Sequence, residues 1–129
     1  MTDSPANSTL ADLSRPLEAL QRTRGALGAL VATHDGLVLA ARLESGLDVE
    51  AHAAAAAVLG RLAGKTLAAI NRGELRTMAV QASRLTLFVS PLPIGYLLVL
   101  TRPEAELAPT AAEMREAART IVTAAASLT

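Results

Sequence analysis

A tripeptide between two apolar runs constrains the fold of this 129-residue chain more than any other feature. Residues 26–43 read ALGALVATHDGLVLAARL, with His-Asp-Gly at 34–36. Asp-Gly between two such runs is among the strongest signals for a β-hairpin, because both residue types tolerate positive φ angles. The pattern predicts strands over about 27–33 and 37–43.

A long helix is predicted directly after this hairpin. Asp48 has the residue type of an N-cap, and Glu50 places a negative charge in the first turn, where it suits the helix dipole. The helix then runs through residues 51–70, AHAAAAAVLGRLAGKTLAAI. Asn71 or Gly73 can end it, because both residue types adopt the left-handed conformation.

Leucines at spacings of three and four predict a first helix that packs on one face; they are Leu10, Leu13, Leu17 and Leu20. Pro16 lies within this stripe. Either the helix begins near Ser14, with proline tolerated in its first turn, or it is kinked at Pro16. Residues 1–9 are predicted to form a disordered lead-in, and residues 10–129 a single domain.

Three strand-like runs follow between residues 74 and 101, over LRTMAVQA, LTLFVS and IGYLLVL. Thr110 and Glu113 then have the spacing of a capping box, which predicts the start of a last helix. The element order is α-β-β-α-β-β-β-α. The sequence therefore predicts an α+β fold, in which helices pack against a five-stranded, mostly antiparallel sheet.

Composition and charge exclude several classes of partner. The formal net charge is zero and the aromatic residues are Phe88 and Tyr96, which argues against nucleic acid, since that ligand needs basic patches or stacking platforms. The most apolar window, residues 85–100, is interrupted and shorter than the roughly 20 residues of a membrane-spanning helix, so no membrane insertion is predicted. The chain has no cysteine, which excludes disulfides and suits a cytoplasmic protein.

The segment GRLAGKT, residues 60–66, has some likeness to a phosphate-binding loop. That motif needs four residues between its glycines and a preceding strand, whereas here three residues separate them and the segment lies in a predicted helix. The histidines, His34 and His52, are isolated, which favours neither a metal site nor a catalytic triad. We therefore predict no catalytic, cofactor-binding or metal-binding residue, and no enzymatic activity.

The predicted central helix has two distinct faces. One carries larger apolar residues, which we assign to this chain's own sheet: Val58, Leu59, Leu62 and Ile70. The other is a surface of small residues, which we assign to an interface with a second copy: Ala53, Ala56, Ala57, Gly60, Ala63 and Gly64. An alternative is that alanine codons are simply abundant, but this explains the alanines and not the glycines. Each glycine costs a helix about 1 kcal/mol relative to alanine, and close approach of a second helix would offset that cost.

The strand predicted over residues 74–82 reads as a sheet edge without protection by charge or proline. Unprotected edges tend to pair with another strand, and pairing with the same strand of a second copy gives a closed two-fold dimer. We therefore add Arg76, Met78 and Val80 to the predicted interface.

The order of elements and three local segments resemble the Roadblock family (dynein light-chain type), including the bacterial MglB-like proteins. The segments are GALGALVATHDGLVLAARL, LDVEAHAAAAAVLGRLAG and LFVSPLPIGYLLVLT, and the resemblance covers about residues 10–127. It implies a Roadblock/profilin-like fold.

The same resemblance implies a function that is not enzymatic. Family members are typically dimers that pair through the central helix and the strand after it, and many are scaffolds or regulators of small Ras-like GTPases. For this chain it implies a cytoplasmic homodimer that binds such a GTPase, with Arg61, Arg72 and Arg76 as possible contacts. The alternative is a ligand-sensing or purely structural dimer without a GTPase partner.

Overall fold

The computed structural model describes residues 5–126, and the side chains of residues 13–125. The predicted α+β class and element order are confirmed. The elements are α1 (Pro5–Gln21), β1 (Ala26–Thr33), β2 (Val38–Leu43), α2 (Val49–Ala69), β3 (Met78–Gln81), β4 (Thr86–Leu92), β5 (Gly95–Thr101) and α3 (Leu107–Ala126).

The five strands form one sheet in the order β2-β1-β5-β4-β3, and every neighbouring pair is antiparallel. The first two strands form the predicted hairpin, with Gly36 at φ 89° in its turn. Strands β2 and β3 are therefore the two edges of the sheet. The prediction that the strand after the central helix is an edge is confirmed.

The helices cover both faces of the sheet and create two cores. On one face, leucines of α1 and Met114 and Ile121 of α3 pack with Phe88, Leu97 and Val99. On the other face, α2 packs on Leu98, Leu100 and Tyr96 of β5. The sheet can be covered on both sides because the side chains of a strand alternate between its faces.

Helix α2 begins and ends as predicted. Its N-cap is Asp48, whose Oδ1 accepts a hydrogen bond from the Ala51 N–H at 3.1 Å. Beyond its last residue, Asn71 and Gly73 both have positive φ angles, 54° and 93°. Local capping chemistry thus fixes the length of this helix, and with it the surface that the helix presents.

Other boundaries differ from the predictions. Helix α1 begins at Pro5 and continues through Pro16, so the alternative of a start near Ser14 is wrong. Residues 5–9, which the sequence predicts to be part of a disordered lead-in, belong to α1. Residues 1–4 and 127–129 lie outside the described residues. The capping box is also wrong, because α3 begins at Leu107 and the Thr110 hydroxyl donates to the Glu106 carbonyl from within the first turn.

Candidate interaction surface

The small residues of α2 pack against this chain's own sheet. Ala53, Ala56, Ala57 and Gly60 are buried, and they lie in the same core cluster as Tyr96. A Cβ added at Gly60 would overlap the Tyr96 ring. The prediction that these four residues contact a second copy is therefore wrong. They face this chain's own sheet, where β5 supplies the large side chains of the core and α2 supplies the small ones.

The large apolar residues of α2 point away from the sheet. The prediction that Val58, Leu62 and Ile70 pack on this chain's own sheet is wrong, because they are 54%, 61% and 60% exposed. Leu59 alone of the four is partly buried and packs against the α2-side core. Val58 and Leu62 are four residues apart, so they form neighbouring positions on one helix face. We call Val58, Leu62 and Ile70, the residue that caps the C-terminus of the helix, the outer face of α2.

Two of the predicted interface residues on α2 stay accessible. Ala63 and Gly64 are partly buried, and no atom lies within 4 Å of the point where a Gly64 Cβ would stand. The two helix glycines therefore have different structural roles. Gly60 makes room for an aromatic ring of the core, whereas no contact within the chain requires a glycine at position 64.

The β3 edge is shorter than predicted. Its ladder with β4 covers Met78–Gln81, and residues 74–77 precede it without strand pairing. Met78 and Val80 are partly buried, and Met78 packs against the α2-side core. The Met78 side chain thus faces the side of the sheet that α2 covers.

The three predicted contact arginines occupy different environments. The Arg61 guanidinium donates to the His34 carbonyl at 3.1 Å, so this residue joins α2 to the tip of the β1–β2 hairpin. Arg72 is exposed just beyond the end of α2. Arg76 is exposed, and its carbonyl accepts a hydrogen bond from the Ser90 hydroxyl at 2.8 Å.

Arg76 also lines an open cleft of about 520 Å³ between the segment before β3, the β4–β5 turn and α3. Arg115 and Arg119 from α3 line the opposite wall, and Leu75 and Leu92 add apolar surface. Arg119 is paired with Glu116 at 3.0 Å. Sequence reasoning missed this cleft, because its cationic residues lie about forty positions apart in the chain.

The GRLAGKT segment forms part of α2, as predicted. Its Thr66 hydroxyl donates to the Leu62 carbonyl at 2.7 Å, which is an intrahelical bond. Among residues 13–125, whose side chains are described, no group of three or more histidine or acidic side chains is arranged to hold a metal ion. None of the helices within residues 5–126 is long and apolar enough to cross a membrane.

The chain belongs to the Roadblock/LC7 domain family, whose sequence profile matches residues 15–102. It is similar to the uncharacterized protein MJ1340 of Methanocaldococcus jannaschii, with 30% identity over 109 residues that cover 84% of this chain and 96% of that protein. The predicted membership of the Roadblock family is thereby confirmed.

Solved structures show the same fold. A Roadblock/LC7 domain from Streptomyces avermitilis is 28% identical, with a TM-score of 0.74 over 83% of this chain and 92% of that chain. The gliding protein MglB from Thermus thermophilus is 18% identical, with a TM-score of 0.80 over 97% of this chain and 93% of that chain.

Proposed function

We propose that this protein is a cytoplasmic homodimer that binds a small Ras-like GTPase and regulates its nucleotide cycle or its localisation, without enzymatic chemistry of its own. The observation that carries the proposal is the combination of the free β3 edge with the exposed outer face of α2. Both features are surfaces that a second copy can contact, and Met78 of β3 faces the side of the sheet that α2 covers. A dimer formed there would extend the sheet from one copy into the next.

The energetics favour such a contact. Full burial of a side chain such as valine, leucine or isoleucine contributes about 1.5–3 kcal/mol. Val58, Leu62 and Ile70 are each more than half exposed, and a two-fold dimer buries each of them in both copies. Ala63, Gly64, Met78 and Val80 complete this proposed interface.

The GTPase part of the proposal is supported by family membership and by the similarity to MglB. A further MglB structure, 18% identical to this chain, has a tetrameric arrangement, so this fold assembles in that protein. Arg72 lies two residues from Ile70 and Arg76 flanks β3, and both guanidinium groups are exposed. We propose these two as GTPase contacts, and Arg61 as a contact that also holds the hairpin.

A ligand-sensing dimer is the second candidate function, and the cleft at Arg76 favours it. Arg76, Arg115 and Arg119 line one opening of about 520 Å³. Glu74 also lines it and Arg119 is paired with Glu116, so the cationic side chains outnumber the acidic one at the opening. Arginine suits carboxylate and phosphate groups because its planar fork donates two parallel hydrogen bonds. The matching ligand is a small anionic molecule.

Binding to purified small GTPases of the source organism tests the proposed function. We expect the dimer to bind one of them more tightly in one nucleotide state, GDP or GTP analogue, than in the other. Arg72→Glu is expected to weaken that binding at least about tenfold, because reversal of an interfacial charge replaces attraction by repulsion. Arg24→Glu makes the same charge change at an exposed site away from α2 and β3, and it is expected to leave the affinity unchanged. Calorimetry that detects no GTPase binding in either state would contradict the proposal.

A further inference from the structure

The sheet has two edges, and their backbone groups are not equally available. A free strand edge presents a row of unpaired N–H and C=O groups that another strand can bond to. Both β2 and β3 are such edges. The proposed dimer pairs through β3. A further copy could then add at the other edge, β2, unless some feature of that edge prevents it.

The register shows which groups of β2 face outward. The Glu44 N–H donates to the Leu27 carbonyl at 2.8 Å, and Leu43 lies opposite Gly28. Hydrogen-bonded and non-bonded pairs alternate along an antiparallel ladder. The N–H and C=O groups of Ala41 and Leu43, which lie opposite Leu30 and Gly28, therefore point away from β1 along the free edge.

One side chain already occupies an outward acceptor of this edge, the Ala41 carbonyl. Arg42 Nη1 donates to the Ala41 carbonyl at 2.9 Å. The same guanidinium is held from α1, because Nη2 donates to the Ser14 hydroxyl at 3.3 Å and Nε lies 3.6 Å from Glu18 Oε1. A guanidinium is planar and has several donors in fixed directions, so contacts with three partners fix its orientation. Arg42 thus keeps a charged group over the edge of β2.

The β3 edge has no corresponding contact. The Ala82 N–H donates to the Leu85 carbonyl at 2.9 Å, so by the same alternation the N–H and C=O of Ala79 and Gln81 point outward. Among residues 13–125, whose side chains the structure describes, none donates to or accepts from these outward groups. The two edges therefore differ: a side chain bonds to an outward backbone group of β2, whereas no described side chain bonds to those of β3.

We infer that Arg42 determines where assembly stops, by closing the β2 edge to a second copy of this chain. When the guanidinium is absent, β2 becomes a second pairing surface for the β2 strand of another copy. Leu37 and Val38 at the start of this strand are 67% and 37% exposed, so that pairing also covers apolar side chains. The inference does not depend on the proposed dimer. In a dimer that pairs through β3, Arg42 prevents a further copy from adding at β2. In a monomer, the same residue prevents a second copy from pairing at β2.

Sedimentation velocity of Arg42→Met over a range of protein concentrations tests this inference. Methionine keeps an unbranched side chain but has no donor for the Ala41 carbonyl. We expect the weight-average mass to rise to about twice that of the wild type or more, because each copy gains a second two-fold surface. Arg102→Met is the matched control, since it removes an arginine whose exposed ion pair with Glu44, at 3.8 Å, does not touch the outward groups of β2; its mass should equal that of the wild type.

A rescue variant makes the test specific for the strand edge. Arg42→Met combined with Ala41→Pro is expected to return to the wild-type mass, because proline removes the outward N–H and is tolerated on an edge strand. Glu18→Gln, which only loosens the guanidinium, should give a smaller rise. The inference is overturned if Arg42→Met keeps the wild-type mass, or if the rescue variant associates as strongly as Arg42→Met. A monomeric wild type whose Arg42→Met variant dimerises would support the inference and contradict the proposed dimer.

Discussion

Replacement of Gly60 by alanine will lower the free energy of unfolding by about 1–3 kcal/mol, the usual range for overpacking of a core. Alanine is the better helix former, so local propensity alone predicts the opposite sign. The new Cβ would overlap the Tyr96 ring. This ring is 6% exposed, and the His34 ring packs edge-on against it at 5.6 Å between centroids, so it has little room to move.

Gly64→Ala is the matched control, and we expect it to raise the free energy of unfolding by about 0.5–1 kcal/mol. Within the single chain, no atom lies within 4 Å of the added Cβ, so in the monomer only the gain in helix propensity remains. Urea unfolding followed by circular dichroism measures both variants, at one fixed protein concentration low enough that the chain is monomeric. Equal effects of the two substitutions would show that Tyr96 does not pack on Gly60 as described.

Val58→Asp will weaken self-association at least about 100-fold, equivalent to about 3 kcal/mol. The substitution removes an apolar side chain from both copies of the proposed interface and places a carboxylate there, which is costly to bury unpaired. Since Val58 is 54% exposed in the single chain, the fold of the subunit itself should be retained.

Val122→Asp makes the same change on α3, where the valine is 40% exposed. Helix α3 covers the opposite face of the sheet, so this variant should associate like the wild type. Sedimentation equilibrium gives the dissociation constants of the two variants, Val58→Asp and Val122→Asp, for this comparison. If both variants associate equally well, the outer face of α2 is not the interface.

Local signals in the sequence predicted most of the fold. The Asp-Gly turn placed the β1–β2 hairpin, because a positive φ angle is a property of a few residue types. Asp48 placed the start of α2, because its carboxylate bonds to the Ala51 N–H within the same turn. Both features depend on residues that are close in sequence, so both could be derived before any tertiary contact was known.

The orientation of α2 could not be derived in this way. Its apolar residues encircle much of the helix, and which of them meet the sheet depends on the partner side chains. Gly60 meets Tyr96, which is 36 positions later in the chain. The rule that large residues face the core fails here, because the large side chains of this core come from β5. The same non-local pairing explains why the spacing of Ala56 and Gly60 along the helix predicts the wrong partner for them.

The boundaries of α3 and β3 also differ from those that the sequence predicts. Thr110 and Glu113 have the spacing of a capping box, but α3 starts three residues earlier, at Leu107. Pro109 is compatible with that start, because the first N–H groups of a helix have no intrahelical partner. For β3, the alternation over residues 74–82 is longer than the part that pairs with β4, since pairing is decided by the neighbouring strand.

The masses in solution of two matched proline variants test directly whether two copies pair through the β3 edge. Ala79→Pro removes an outward N–H from β3, and Ala41→Pro removes one from β2; neither group bonds within the sheet. We predict that the wild type and Ala41→Pro have about twice the 13.3 kDa mass of one chain, whereas Ala79→Pro is a monomer at the same concentration. A dimeric Ala79→Pro, or a loss of the dimer only in Ala41→Pro, would show that the two copies do not pair through β3.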